Sequence, residues 1–179
     1  MDTLFSDRSL VTMLHGMVLG GGGLIALAAG AYGLRVVRPG ALFEPAAERR
    51  AREVAWLLVL AALLLWASVI VGTYVVFPPY RATPPEGLVD LARYPRSLIQ
   101  SNPETAWLHG FAMETKEHAP WIAAMLATAV AFVGVRYRSQ LLSDAGLNRM
   151  AMALLAIALV LVVYVAALGV FVNKVAPLE

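Results

Sequence analysis

Residues 114–118 read Glu-Thr-Lys-Glu-His. On an α-helix Glu114 and His118 are four apart and share a face. A carboxylate and an imidazole so placed suit copper, zinc or iron, and His15 is the third ligand that would complete a mononuclear site. The chain has three histidines, His15, His109 and His118, and no cysteine. That excludes disulfides, thiolate metal sites, iron–sulfur clusters and the CxxCH attachment of a c-type haem.

The elements that must position these groups are spanning helices. Of 179 residues, 60% are hydrophobic, and the mean hydropathy is +0.71. A soluble domain of this size has no interior large enough for that apolar surface. Four runs, 10–34, 54–77, 119–135 and 150–172, are long enough or nearly so for a helix that needs ~20 apolar residues to cross a bilayer. The first run is too long for a signal-peptide core and lacks a basic leader. The fold class is an all-α, integral-membrane four-helix bundle, one domain over 1–179. Its helices are expected at about 10–34, 54–77, 103–138 and 149–173, with a long outer loop over 78–102. The net charge of +2 has no basic stripe, so nucleic acid is not an expected partner.

Arg35, Arg38, Arg49, Arg50 and Arg52 fall in one short link, and Arg136, Arg138 and Arg149 in another. Short arginine-rich links stay cytoplasmic. Both termini and the 78–117 stretch are therefore expected outside, in the periplasm of a bacterial inner membrane. Depth follows by counting inward. His15 lies ~30 Å along the helix from Arg35, and His118 ~27 Å from Arg136, at 1.5 Å per residue. His109 lies ~40 Å from Arg136 and so outside the hydrocarbon.

Two histidines at equal depth on different helices are what a b-type haem requires, one imidazole for each axial position. The His15 face continues through Gly22, Ala26 and Ala29, small residues that leave flat space. Arg81, Arg93 and Arg96 in the outer loop are candidates to pair with haem propionates, because guanidinium binds carboxylate bidentately. Glu114 would then orient His118 or accept a proton beside a quinol pocket. The bland alternative is that each histidine bonds a backbone carbonyl or a headgroup.

Other features carry less. Gly16 and Gly20 make a GxxxG, which ordinarily serves helix packing. Met13, Met113 and Met125 are apolar fillers first, and Tyr74, Tyr80, Tyr94 and Trp107 suit an interfacial belt. Residues 87–94 are expected to form a short interfacial helix before Pro95. Ser101-Asn102-Pro103-Glu104 reads as a capping box opening the third helix at about 103.

With His15, His118 and four spans, the chain resembles, in architecture, the small four-helix membrane b-type cytochromes that serve larger redox complexes. The resemblance covers the bundle and not the 78–102 loop. It implies an electron-transfer subunit with one haem b near the outer face, linking quinol to a periplasmic redox partner, rather than an enzyme on its own. Such proteins often hold two haems, but the inner half here has no histidine. The alternatives are a cofactor-free structural or assembly subunit of a larger membrane complex, and a Glu/His metal site. A transporter is disfavoured because the spans carry no intramembrane acid and no broken-helix signature.

Overall fold

The computed structural model describes residues 6–36 and 45–177. Among these there are helices and turns and no strand. Four helices are long and apolar enough to cross a membrane: α1 (Asp7–Val36), α2 (Ala46–Tyr80), α4 (Leu108–Arg136) and α6 (Ala145–Val175). Two short helices join them, α3 (Pro95–Gln100) and α5 (Arg138–Ser143). Arg38 and the rest of the 37–44 link lie outside the described residues.

Each spanning helix has an identifiable start. Ser6 caps α1, its Oγ accepting from the Ser9 amide at 3.1 Å, with Asp7 in the first turn. Asp144 caps α6, its Oδ1 accepting from the Gly146 and Leu147 amides at 2.7 and 3.1 Å. Helix α2 begins well before residue 54. The charged stretch ahead of its apolar run is itself helix-forming, and Arg49 reaches Glu53 four residues on at 3.7 Å.

Two expectations are corrected. Residues 87–94 form turns, and the helix starts at Pro95, not before it. Proline is well placed in a first helical turn but disfavours helix in the residue ahead of it, and Tyr94 is non-helical. Ser101 does not open the third helix. Its Oγ donates back to the Leu98 carbonyl at 2.7 Å, and Asn102 Oδ1 accepts from the Glu104 amide at 2.9 Å. Residues 101–106 are consumed in turns, so α4 starts later than 103. It ends at Arg136, where Tyr137 breaks the helix.

Helix α2 packs against α1 and α4, and α6 packs against the same two, which leaves α1 and α4 on the diagonal. The packing is small-on-large. A Cβ on Gly30 would stand 2.8 Å from Leu58 Cδ2, and one on Gly33 would stand 2.5 Å from Val54 Cγ2. Leu27, Leu58, Val130 and Leu155 are fully buried in the main core. Between apolar helices in lipid, contact itself must hold the bundle, because lipid tails are as apolar as leucine. Asn148 Nδ2 donates to the Leu34 carbonyl at 3.2 Å and ties α6 to the end of α1. A second, smaller apolar cluster holds Tyr80, Ile99, Leu108, Ala112, Met113, Leu168 and Val172. It gathers α3 and the start of α4 onto the ends of α2 and α6. This is the loop end of the molecule; the opposite one is the arginine end.

Candidate functional site

Three of the four long helices widen into π turns, and each does so toward the loop end: Leu14–Gly20 in α1, Gly72–Val76 in α2 and Leu108–Met113 in α4. A π turn inserts an extra residue and re-aims the side chains that follow, and such turns are frequent at functional sites. The one in α2 has a local cause. Pro78 and Pro79 have no amide to give the preceding turn, and the Phe77 amide reaches back to Gly72 instead. The turns place His15, Gly72 and His109.

His15 is half-buried and its ring meets α2 at Gly72. A Cβ on Gly72 would be 2.7 Å from its Cε1. Its Nδ1 is 3.3 Å from Ser68 Oγ, which is also 3.4 Å from the His15 carbonyl. Lys116 of α4 comes within electrostatic reach of this imidazole. Its amine is tucked against α6, 3.1 Å from where a Gly169 Cβ would stand. Nearer the loop, the Tyr80 hydroxyl and His109 Nδ1 are hydrogen-bonded at 3.0 Å. Phe77 stacks on the Tyr80 ring at 5.9 Å. Arg96, Glu117 and Glu114 lie within electrostatic reach of the Tyr80 hydroxyl, and Arg96 Nε is buried without a hydrogen-bond partner among the described residues.

The residues expected to share one cofactor are dispersed. His118 is exposed, and its Nδ1 bonds the Glu114 backbone carbonyl of its own helix at 2.8 Å. It belongs to a stripe with Phe111, Ile122 and Met125, all exposed. The inward stripe of α4 is Ala112, Lys116, Ala119 and Ala123. Residues two apart on a helix are turned ~200° from each other, so Lys116 falls on the inward face of α4 and His118 on the opposite one. Gly22 faces Leu64, whose Cδ1 would be 3.4 Å from an added Cβ, and Leu65 fills the adjacent Gly23 face. The α1 face two turns inward of His15, where a macrocycle would need flat space, is thus taken by α2 leucines. As packed, these residues do not fit a haem.

Among the described residues no three His, Asp or Glu side chains converge on a common metal position. Glu114 is exposed. Of the three arginines, Arg81 stacks over Phe77 at 5.2 Å, Arg93 is exposed on the loop, and Arg96 sits near Tyr80. They do not form a cluster with His15.

Sequence reasoning overlooked Lys116, Ser68 and the Tyr80–His109 pair. The alanines at 112, 119 and 123 were a usable signal, since small residues mark the packed face of a membrane helix and Lys116 falls in phase with them. Nothing local pairs Tyr80 with His109. No protein-family model, curated protein or solved structure matches the chain.

Proposed function

We propose that this chain is a cofactor-free structural subunit of a larger membrane complex. It crosses the bacterial plasma membrane four times with both termini outside, and presents the polar loop end at the outer surface. The observation that carries this reading is the close packing of the bundle from His15 inward along α1. Gly72 receives the imidazole, Leu64 and Leu65 fill the Gly22 and Gly23 face, and Gly169 receives the Lys116 amine. Complementary glycine contacts of this kind on α1, α2 and α6 indicate a surface shaped for protein side chains. The remaining chemistry, Tyr80 with His109 and His15 with Ser68, then fixes helix ends in place. The quinol and periplasmic redox partner of the haem reading need a redox group to connect them, and the separation of His15 from the exposed, self-bonded His118 speaks against a shared one.

The test is a pyridine-haemochrome and elemental analysis of the chain purified from its native membrane, with crosslinking in that membrane before extraction. The expected outcome is no b-type α band, no stoichiometric metal, and a discrete crosslinked product containing another membrane protein. An α band lost in both His15→Ala and His118→Ala would overturn the proposal and restore the haem. Stoichiometric copper, zinc or iron lost in Glu114→Gln would restore the metal site.

A further inference from the structure

At the arginine end the bundle carries an open groove of about 290 Å³. Among the described residues it is lined by Arg52, Ala55 and Trp56 of α2, Val135 of α4 and Arg138 of α5. Its floor is narrow because small residues meet there: a Cβ on Gly134 would stand 3.5 Å from the Ala55 Cα. Helix α4 stops at Arg136, and beyond the break at Tyr137 the Arg138 side chain reaches α2, where its Nη1 meets Glu48 Oε1 at 3.4 Å. Glu48, Arg52 and Trp56 follow at four-residue steps along one face of α2. The ion pair therefore holds the Arg138 guanidinium at the helical turn next to Arg52.

The lining groups have unused bonding capacity. Among the described residues Arg52 makes no ion pair or hydrogen bond, and the exposed Trp56 indole donates to nothing, whereas that of Trp66 bonds Thr128 Oγ1 at 2.9 Å. Arg138 gives Nη1 to Glu48 and keeps its other donors. Two guanidiniums and the Glu48 carboxylate leave one positive charge, the complement of a phosphodiester. Depth narrows the choice of ligand. Arg52 stands just ahead of the apolar run 54–77, and Val135 ends the run 119–135. The groove thus lies where hydrocarbon gives way to headgroups, the level at which indole and guanidinium side chains settle. Ligand sites begin at about this volume, ~300 Å³. It has room for a headgroup, while acyl chains would lie outside it. The exposed Leu60 and Leu63 of α2 and Phe132 of α4 continue the same faces inward.

We propose that this groove binds one anionic phospholipid from the leaflet at the arginine end. Arg52 and Arg138 hold its phosphate from two helices, each guanidinium presenting paired donors. Trp56 Nε1 donates to a phosphate or ester oxygen, and the acyl chains run along Leu60, Leu63 and Phe132. The apolar wall of Ala55, Trp56 and Val135 favours a lipid over the free ion. The inference rests on the four crossings proposed above, which set lipid at this level, and not on the partner subunit.

The experiment uses the full chain in a non-ionic detergent, with phosphatidylglycerol, phosphatidylcholine and inorganic phosphate as separate probes. Affinity is read by native mass spectrometry and from the shift in thermal midpoint. Phosphatidylglycerol should bind and raise the midpoint, and phosphatidylcholine, whose choline cancels the phosphate charge, should bind more weakly. Arg52→Gln should weaken the phosphatidylglycerol affinity about tenfold or more, as loss of a hydrogen bond to a charged group implies. Arg138→Gln should do the same. Glu48→Gln, which breaks the same ion pair but keeps the guanidinium, should not weaken binding, and neither should Arg50→Gln, exposed on another face of α2. Equal affinity for the two lipids, phosphatidylglycerol binding unchanged in Arg52→Gln and Arg138→Gln, or an equal Arg52-dependent shift with inorganic phosphate overturns the proposal. In the native membrane, replacing Trp56 with photoreactive benzoylphenylalanine should give a phospholipid adduct on irradiation; a protein adduct in its place overturns the proposal too. Alkaline carbonate extraction separates the two readings. A chain released by it overturns the four crossings, and a chain retained by the membrane whose phosphatidylglycerol affinity ignores Arg52→Gln overturns the lipid site alone.

Discussion

The Tyr80–His109 bond joins the last residue of α2 to the first turn of α4 across twenty-nine positions of chain. Tyr80 is buried and His109 half-buried, so losing the bond strands little: the imidazole can turn to water. Tyr80→Phe should therefore cost an ordinary hydrogen bond, about 0.5–1.5 kcal/mol. His109→Ala, which leaves the buried Tyr80 hydroxyl without its partner, should cost more, about 1–3 kcal/mol, and the double variant less than the sum of the two. Unfolding midpoints of the four proteins in one detergent measure this, and additive costs would show that the two side chains act separately. The neighbouring case of His15 and His118 shows what residue counting reads and what it misses. Counting along an axis gives depth, and both histidines do lie toward the loop end. It gives no angle. In a soluble protein the apolar stripe supplies the angle, but in lipid both faces of a helix are apolar, and only side-chain size separates them. Phe111, Ile122 and Met125 are the bulky exposed side of α4, and His118 goes with them.

At the scale of elements, the apolar runs mark the spans because lipid thickness sets their length. Their ends are legible only where a cap is local. Asp144 could be recognised before α6 because its carboxylate bonds amides two and three residues on. The start of α4 could not, because Ser101 and Asn102 spend their side chains on turns whose course depends on α3. Helix pairing is legible through glycine, and α1 against α2 offers a test. A Cβ on Gly33 would meet Val54 Cγ2 at 2.5 Å and Cβ at 3.4 Å. Valine in a helix is nearly confined to one rotamer, so it cannot turn away. Gly33→Ala gains up to ~1 kcal/mol of helix propensity and loses ~1–3 kcal/mol to overpacking. The net expectation is destabilisation. In a Val54→Ala background the clash is gone, and the same Gly33→Ala step should become neutral or stabilising. A thermal-midpoint cycle decides it. Destabilisation of equal size in both backgrounds would show that the α1–α2 contact is not the cause.

For the whole molecule, the two arginine-bearing links must share one side if four helices cross the bilayer. Arg138 of α5 and Glu48 at the start of α2 meet at 3.4 Å, so parts of both links stand at one end, with the 81–94 loop at the other. Which end is cytoplasmic depends on charge alone. Eight of the fourteen basic residues are arginines in the two short links, the distribution that holds a link inside. The remaining six are spread over the opposite end among acidic residues. Because the chain has no cysteine, single cysteines report topology without background. Glu86→Cys in the loop and Ser139→Cys in α5 are both exposed positions. A membrane-impermeant maleimide should label Glu86→Cys in intact spheroplasts, and Ser139→Cys only after permeabilisation. The reverse pattern would invert the orientation and place the loop end, with Lys116 and His15, at the inner leaflet. Labelling of both in intact spheroplasts would contradict an arginine end and a loop end on opposite sides of the bilayer, and with it the four-span arrangement.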